Sequence, residues 1–198
     1  MCIEELIQLA INNLGENSHD FQLLIKHIQA MSNLLDNGVI HNEYKLNEVE
    51  VLTLVLLEGF GFDMIQKPAF NHDLLDEFNK ILIEYLDSAL KKIPITSHKI
   101  LYRQDEYQNK VPKVGDDILF TGFLTTSKDD FDNANNVKWI ITPLSNKTTK
   151  AHDIYKVYNH GYNVPYPEYQ VEFERGTKFN VTKVVEKAGY SEVSITEL

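Results

Sequence analysis

The chain has 198 residues, 43% of them hydrophobic, which is enough to build one sizeable core or two packed lobes. Its formal net charge of −10 argues against a general nucleic-acid-binding protein, because phosphate contacts need lysine and arginine. The acidity is unevenly distributed: residues 1–95 contain 6 basic and 15 acidic residues, whereas residues 96–198 contain 13 and 14. A dinucleotide or another anionic ligand is therefore not excluded in the second half.

The sequence shows little sign of a disulfide, a targeting segment, a membrane span or a metal site. Cys2 is the only cysteine, so an internal disulfide is excluded. The amino terminus lacks a basic region and an uninterrupted apolar stretch, and no segment approaches the ~20 apolar residues of a membrane span. We therefore expect a cytoplasmic protein with no membrane partner, although a substrate of a specialised secretion system can lack such signals. The histidines show no metal-like spacing, so we expect no metal.

Apolar residues at helical spacing predict four helices in the first half of the chain. They run from Ile3 to Leu14, from a cap at Ser18 or Asp20 to Asn37, from Asn47 to Gly59, and from Asn71 to about Lys92. Pro94 closes the last of them, because proline cannot continue a helix. Residues 1–95 are therefore predicted to form a helical lobe.

After Pro94, β-branched and aromatic residues occur in short runs between turn residues, which predicts strands. These runs do not alternate with helices, so a parallel doubly wound sheet is not expected. We predict an α+β chain in which the helical lobe precedes a mostly antiparallel, two-sheet β region at residues 96–198. Residues 145–165 are predicted to be a loop with little regular structure, of a length that is usually functional. The predicted strand runs are 100–103, 118–125, 139–142, 179–185 and 193–196.

One further stretch, residues 168–174, is called the acidic strand here. Glu168, Gln170, Glu172 and Glu174 occupy every second position, so an extended backbone places all four on one face. The intervening Tyr169, Val171 and Phe173 face the other way. A presented acidic face could carry chemistry, but a charged edge strand that discourages aggregation has the same pattern.

Three short motifs, each common by itself, are more specific when their order along the chain is considered. Tyr102-Arg103 comes first, Thr125-Thr126-Ser127 follows an apolar run, and the acidic strand ends at Arg175-Gly176-Thr177. In this order they resemble the mono-ADP-ribosyltransferases of the Arg–Ser–Glu type, the exoenzyme-like toxins and effectors that use NAD, over roughly residues 98–198. The resemblance implies a β core of ADP-ribosyltransferase type. It also implies transfer of ADP-ribose from NAD to a macromolecular acceptor with release of nicotinamide.

The resemblance assigns NAD, as co-substrate, to the first two motifs. Arg103, preceded by Tyr102, matches the family's arginine, which contacts the phosphates and ribose; a planar, permanently charged donor fork suits that task. Thr125, Thr126 and Ser127 match the family's Ser-Thr-Ser motif. The Thr125 hydroxyl is expected to hold the nicotinamide ribose and orient the catalytic glutamate, while Ser127 braces the strand end.

The acidic strand departs from the family's Glu-x-Glu pattern. The second glutamate of that pattern stands six residues before the glycine, and counting back from Gly176 reaches Gln170, with Glu168 in the first, acceptor-related position. A neutral glutamine cannot stabilise an oxocarbenium-like transition state, so this register predicts a reduced-activity form. The alternative takes Gln170-Val171-Glu172 as a Gln-x-Glu motif with Glu172 catalytic. Residue parity does not decide, because both side chains share one face.

Acceptor recognition is expected from the tyrosine-rich loop before the acidic strand. Tyr162, Tyr166 and Tyr169 could stack on a substrate, and the acceptor could be a protein or a nucleic acid. The acidic helical lobe could bind an antitoxin or immunity protein. Two other functions are open: an inactive pseudoenzyme that serves as a binding module, and an interaction domain without an NAD site.

Overall fold

The computed structural model describes residues 1–40, 43–59, 62–107, 110–131, 135–145, 148–158 and 169–198, and these contain five α-helices and eight β-strands. Packing of the backbone divides them into two compact units. One holds residues 1–93 and 156–158, and the other holds 94–155 and 169–198. The predicted domain organisation, with its boundary at residue 95, stays a prediction.

The helical unit is built around its third helix. Side-chain caps begin the helices where the sequence predicts: Ser18 accepts from the Phe21 amide, and Asn47 accepts from the Glu50 amide. All of residues 49–57 in the third helix are buried, so this helix forms the centre of the unit. The helices are α1 (Ile3–Leu14), α2 (His19–Asp36), α3 (Glu48–Glu58), α4 (Phe62–Phe70) and α5 (Glu77–Leu90).

The end of the helical unit differs from the prediction. Helix α4 is absent from the predicted elements, and Pro68 lies inside it. The fourth predicted helix starts later than expected, because the Asp76 carboxylate accepts from the Asn79 amide and caps α5 there. Residues 72–74 form a short 3-10 helix instead. None of the helices in the described residues is long and apolar enough to cross a bilayer.

The eight strands form one mixed sheet in the order β2-β7-β8-β4-β1-β3-β6-β5. The prediction of two separate antiparallel sheets is therefore not confirmed. Strands β4 and β8 run parallel, and all other neighbours are antiparallel. The strands are β1 (Leu101–Asp105), β2 (Asp117–Phe120), β3 (Leu124–Ser127), β4 (Val137–Thr142), β5 (Ala151–His152), β6 (Gln170–Phe173), β7 (Thr177–Glu186) and β8 (Ser191–Glu197).

The sheet is narrowest between β1 and β3, which are joined by a single Cα pair, Tyr102 with Ser127. Five strands lie on the β1 side of this junction and three on the β3 side. The two groups are thus continuous but weakly connected.

Three further expectations are corrected. Residues 151–157 contain β5 and a 3-10 helix, so the prediction of little regular structure is wrong there. The predicted run 118–125 is two strands separated by residues 121–123. The edge-strand interpretation of the acidic strand is also wrong, because β6 lies between β3 and β5.

The core of the β unit covers one face of the sheet. Its aromatic centre is Trp139, whose ring contacts the edges of Tyr107 and Phe120 with centroids 5.5 and 6.1 Å apart. The opposite face of β1, β3 and β6 is polar. The buried core residues are Leu101, Leu124, Val137, Trp139, Ile141, Ala151, Val171, Phe173, Phe179, Val181, Val193 and Ile195.

Candidate active site

Strands β3 and β6 bring the hydroxyl motif and the acidic strand together. Thr125 is the Cα partner of Glu172, and Ser127 is the Cα partner of Gln170. Directly opposed residues in an antiparallel pair share a face and have Cβ atoms about 4.5–5.5 Å apart. The four side chains therefore form two adjacent polar pairs on the face away from the core. Tyr102, opposite Ser127, extends the same row onto β1.

Arg103 reaches this site from the other face of the sheet. Its Cα partner on β4 is Trp139, a core residue. Nevertheless, the Arg103 Nη1 donates to the main-chain carbonyl oxygen of Thr125 at 2.8 Å. The guanidinium thereby bridges β1 and β3 beside their single Cα pair, Tyr102 with Ser127. It thus lies between the two strands and stays partly exposed.

A cleft of about 150 Å³ opens at this junction. The predicted NAD-binding residues and Gln170 all border it. The volume is smaller than the about 300 Å³ of a typical small-molecule pocket, so in this conformation it could accommodate only part of a dinucleotide. The lining residues are Tyr102, Arg103, Gln104, Thr125, Thr126, Ser127, Phe131 and Gln170.

Glu172 lies one pair further along β6 than Gln170 and is fully buried. It is not among the residues that line the cleft. Its neighbour on β5 is His152, its Cα partner, so polar residues flank it on both adjacent strands. The His152 Nε2 lies 2.9 Å from the Glu174 Oε1. The acidic face of β6 is therefore interior rather than presented to solvent, contrary to the expectation.

The predicted acceptor-binding residues are only partly described. Glu168, Tyr162 and Tyr166 lie outside the described residues. The Tyr169 ring has the Lys128 Nζ 3.4 Å from its centroid, and the Tyr155 ring meets it edge-on at 5.5 Å.

The surroundings of Tyr155 shift the pKa of its hydroxyl. Burial raises the pKa of the Tyr155 hydroxyl to about 12, and the negative charge and hydrogen bond of Asp153 act in the same direction. The hydroxyl also lies 3.1 Å from the His98 Nε2. Tyr155 therefore stays a neutral phenol at physiological pH.

Several residues beside the cleft were not among the predicted site residues. Gln104 donates to the carbonyl oxygen of Phe131, and the Lys138 Nζ lies 2.5 Å from the Asp130 Oδ1. Both contacts fasten residues 130–131 next to the cleft. No periodicity marks these residues, because they meet only through the pairing of β1 with β4 and the path of the chain after β3.

Other cavities offer less chemistry. One of about 550 Å³ is bordered by Tyr107 and by residues between Lys110 and Leu119, and one of about 360 Å³ lies among α1, α2, α4 and α5. Neither is lined by an arginine or by residues of β3 and β6, which carry the hydroxyl motif and the acidic strand. Across the described ranges, no group of three or more histidine, cysteine, aspartate or glutamate side chains could hold a metal ion.

Solved structures with the same architecture include bacterial toxins and effectors. The Clostridium limosum C3 exoenzyme is 15% identical, with a TM-score of 0.64 over 86% of this chain and 94% of that one. Exoenzyme S from Pseudomonas aeruginosa, in complex with human 14-3-3 protein beta and bound to carba-NAD, is 13% identical, with a TM-score of 0.64 over 98% and 88%.

A third match is Plx2a, an ADP-ribosyltransferase toxin from Paenibacillus larvae, which is 17% identical with a TM-score of 0.61 over 86% of this chain and 96% of that one. No family model matches the sequence, and no curated protein does. At such low identity these similarities show the fold. The predicted resemblance to mono-ADP-ribosyltransferase toxins and effectors is confirmed at that level.

Proposed function

We propose, from the fold that this chain shares with ADP-ribosyltransferase toxins and effectors, that it is an NAD-dependent mono-ADP-ribosyltransferase of that type. The observation that carries the proposal is the junction of β1, β3 and β6. There Arg103 on β1 donates to the Thr125 carbonyl oxygen, and β3, which carries the hydroxyl motif, pairs with β6, which carries Gln170 and Glu172. The three motifs of the family resemblance are thus neighbours, which supports an NAD site at this junction. Arg103 would bind the diphosphate, and Thr125 and Ser127 would hold the nicotinamide ribose, with Tyr102 and Thr126 bordering the same cleft.

In the proposed reaction, the bond between the ribose C1′ and the nicotinamide nitrogen breaks, and its electron pair leaves with nicotinamide. The ribose develops oxocarbenium character, as in glycoside cleavage. A nucleophilic atom of the acceptor then bonds to C1′ and loses its proton. The products are ADP-ribosylated acceptor, neutral nicotinamide and a proton, so charge and atoms balance.

We assign the catalytic carboxylate to Glu172. Strand pairing supports this assignment over Gln170, because Glu172 stands opposite Thr125, the hydroxyl expected to orient the catalytic glutamate. A glutamate also provides a carboxylate, the group that stabilises a developing cation, which a neutral glutamine lacks. The chain would then be a competent enzyme of Gln-x-Glu type.

Gln170 receives a different role in this proposal. It borders the cleft and stands opposite Ser127, so its amide could hydrogen-bond a ribose hydroxyl or orient the acceptor. Glu168, Tyr162, Tyr166 and Tyr169 remain candidates for acceptor recognition. The acceptor is proposed to be a protein or a nucleic acid, and the acidic helical residues a surface for an antitoxin or immunity protein.

The proposal is tested by three measurements on the same protein samples: calorimetric titration with NAD, release of nicotinamide, and gel transfer of labelled ADP-ribose to protein and RNA. Glu172→Gln is expected to lower nicotinamide release about a hundredfold or more, as for the loss of one preorganised electrostatic partner. Its NAD affinity should stay within about threefold, because the carboxylate acts mainly on the transition state.

Glu186→Gln is the matched control, since Glu186 is an exposed glutamate on β7 that contacts Ser191 rather than the cleft. It should behave like the wild type. If the wild type neither binds NAD nor labels any acceptor, the proposal is wrong.

A pseudoenzyme that binds NAD without turning it over is the second candidate. Among residues 169–174, which the structure describes, the neutral Gln170 borders the cleft and Glu172 does not, which favours this candidate. It predicts measurable NAD binding with no release of nicotinamide from the wild type or from Gln170→Glu.

A further inference from the structure

We infer that Asp105 is a positioning residue for Arg103: its carboxylate, itself oriented by Trp139, holds the guanidinium in the orientation that the NAD diphosphate meets. This inference rests on the proposed function. It adds a residue that lies outside the three motifs and that the sequence did not single out.

The contact between Arg103 and Asp105 is bidentate. The Arg103 Nε donates to the Asp105 Oδ2 at 2.8 Å, and the Arg103 Nη2 lies 2.6 Å from the Asp105 Oδ1. With the bond from Nη1 to the Thr125 carbonyl oxygen, the guanidinium is held at all three nitrogens. Because the group is planar, three such contacts fix its plane as well as its place.

Asp105 is held in turn from the core. The Trp139 Nε1 donates to the Asp105 Oδ2 at 2.8 Å. Trp139 is completely buried, and Tyr107 and Phe120 pack edge-on against its ring. The register of β1 with β4 explains the alignment: Arg103 opposes Trp139 and Asp105 opposes Val137, all on the core face. A rigid indole thus orients a carboxylate, which orients the arginine at the cleft.

The arrangement leaves donors for a ligand. A guanidinium has five N–H groups, and the two contacts with Asp105 and the one with Thr125 engage one N–H each. The remaining N–H groups belong to Nη1 and Nη2, and the side chain stays 23% exposed. An anion arriving at the cleft would therefore meet an arginine that is already ordered, which reduces the ordering that binding requires.

The charge of Asp105 and its proposed positioning role predict opposite changes in NAD affinity when the carboxylate is removed. Asp105 is an anion beside the site proposed for a diphosphate, so removing its charge would by itself strengthen binding of NAD. If instead the carboxylate acts by ordering Arg103, its removal weakens binding. The sign of the change in NAD affinity therefore distinguishes the two effects.

The test is Asp105→Asn, with Asp117→Asn as control because Asp117 is an exposed aspartate on β2 that contacts Asn180 away from the cleft. Asp105→Asn is expected to raise the Kd for NAD about tenfold and to leave kcat for nicotinamide release within about twofold, since the lost contact serves ground and transition states alike. Asp117→Asn should change neither.

A double-mutant cycle separates positioning from general destabilisation. In an Arg103→Lys background, Asp105→Asn should change the Kd by less than about twofold, because a residue that acts through Arg103 has nothing left to position. A merely structural role would add a further loss in both backgrounds. Trp139→Phe, which removes the indole N–H, should weaken NAD binding in the same direction and serves if Asp105→Asn does not fold.

The outcomes are distinguishable from those of the proposed function. If the wild type binds NAD and Asp105→Asn binds it equally or more tightly, the inference is overturned while the function stands. Additive losses in the Arg103→Lys background also overturn it. If the wild type does not bind NAD, the proposed function and this inference fall together.

Discussion

Thr125 and Glu172 face each other across the antiparallel pair of β3 and β6, so a hydroxyl and a carboxylate meet on one face of the sheet. Sequence spacing from Gly176 points instead to Gln170, which stands opposite Ser127. The two criteria differ because Glu172 stands only four residues before Gly176, whereas the family spacing is six. Strand pairing is the more direct criterion for a site made of two strands, and it supports Glu172.

The Thr125 hydroxyl is predicted to contribute to catalysis. Thr125→Val keeps the shape and removes only the hydroxyl, and we expect nicotinamide release to fall about tenfold, the value of one hydrogen bond of ~1.4 kcal/mol. Thr125→Ser restores the hydroxyl and should release nicotinamide within about threefold of the wild type. Equal rates for the valine and serine variants would contradict an orienting role.

Gln170→Glu is predicted to give little gain. Under the proposed assignment, the wild type already has its carboxylate at Glu172, and a second one at position 170 would lie on the same face. Two close carboxylates disfavour ionisation of both, so nicotinamide release should stay equal or fall. Steady-state release by Gln170→Glu and by the double variant Gln170→Glu with Glu172→Gln provides the check. A large gain in either variant would move the catalytic position to residue 170.

Acid is predicted to weaken the helical unit through Glu50, which is almost fully buried. Burial raises the pKa of this carboxyl. Hydrogen bonds from Lys92, Ser88 and the Asn47 amide, together with the charge of Lys92, lower the pKa by more than burial raises it, so it lies below its ordinary 4.5. A depressed folded-state pKa gives stability that is complete above the unfolded-state value. That stability is lost as the pH falls through the folded-state value.

We therefore expect the free energy of unfolding, measured by urea denaturation, to fall below about pH 4.5 more steeply in the wild type than in Glu50→Gln. Glu48→Gln, a change at an exposed glutamate in the first turn of the same helix, should retain the wild-type slope. Identical slopes for all three proteins would contradict the role of Glu50.

Gly59 is predicted to tolerate no side chain. A Cβ at this position would lie 2.6 Å from the His27 Nε2 and 3.0 Å from the Val55 carbonyl oxygen. His27 is buried, and its Nδ1 lies 2.8 Å from the Leu23 carbonyl oxygen, so it is not free to move aside. Gly59→Ala should destabilise the protein by about 1–3 kcal/mol, as overpacking does.

Thermal or urea unfolding of Gly59→Ala measures this loss. His27→Ala combined with Gly59→Ala serves as the control, because the smaller side chain at 27 removes the closest contact. The loss from Gly59→Ala should be smaller in that background. A Gly59→Ala protein as stable as the wild type would show that the helix end adjusts.

Part of the fold was accessible from the sequence. The apolar stripes at helical spacing predicted α1, α2 and α3 with bounds close to those observed, because caps at Ser18 and Asn47 act locally. The late start of α5 and the existence of α4 were not accessible in this way. A single aspartate cap and a proline within a short helix change local bounds without altering the apolar pattern.

The sequence by itself determined which side chains of the acidic strand share a face, because alternation along an extended backbone is a property of the chain alone. It also supplied the hydroxyl motif and the arginine. Only the tertiary structure decided that Glu172 opposes Thr125, that β6 is an interior strand, and that Trp139 and Asp105 hold Arg103 where β1 and β3 meet. Those relations depend on the register between strands distant in sequence, which residue parity leaves open.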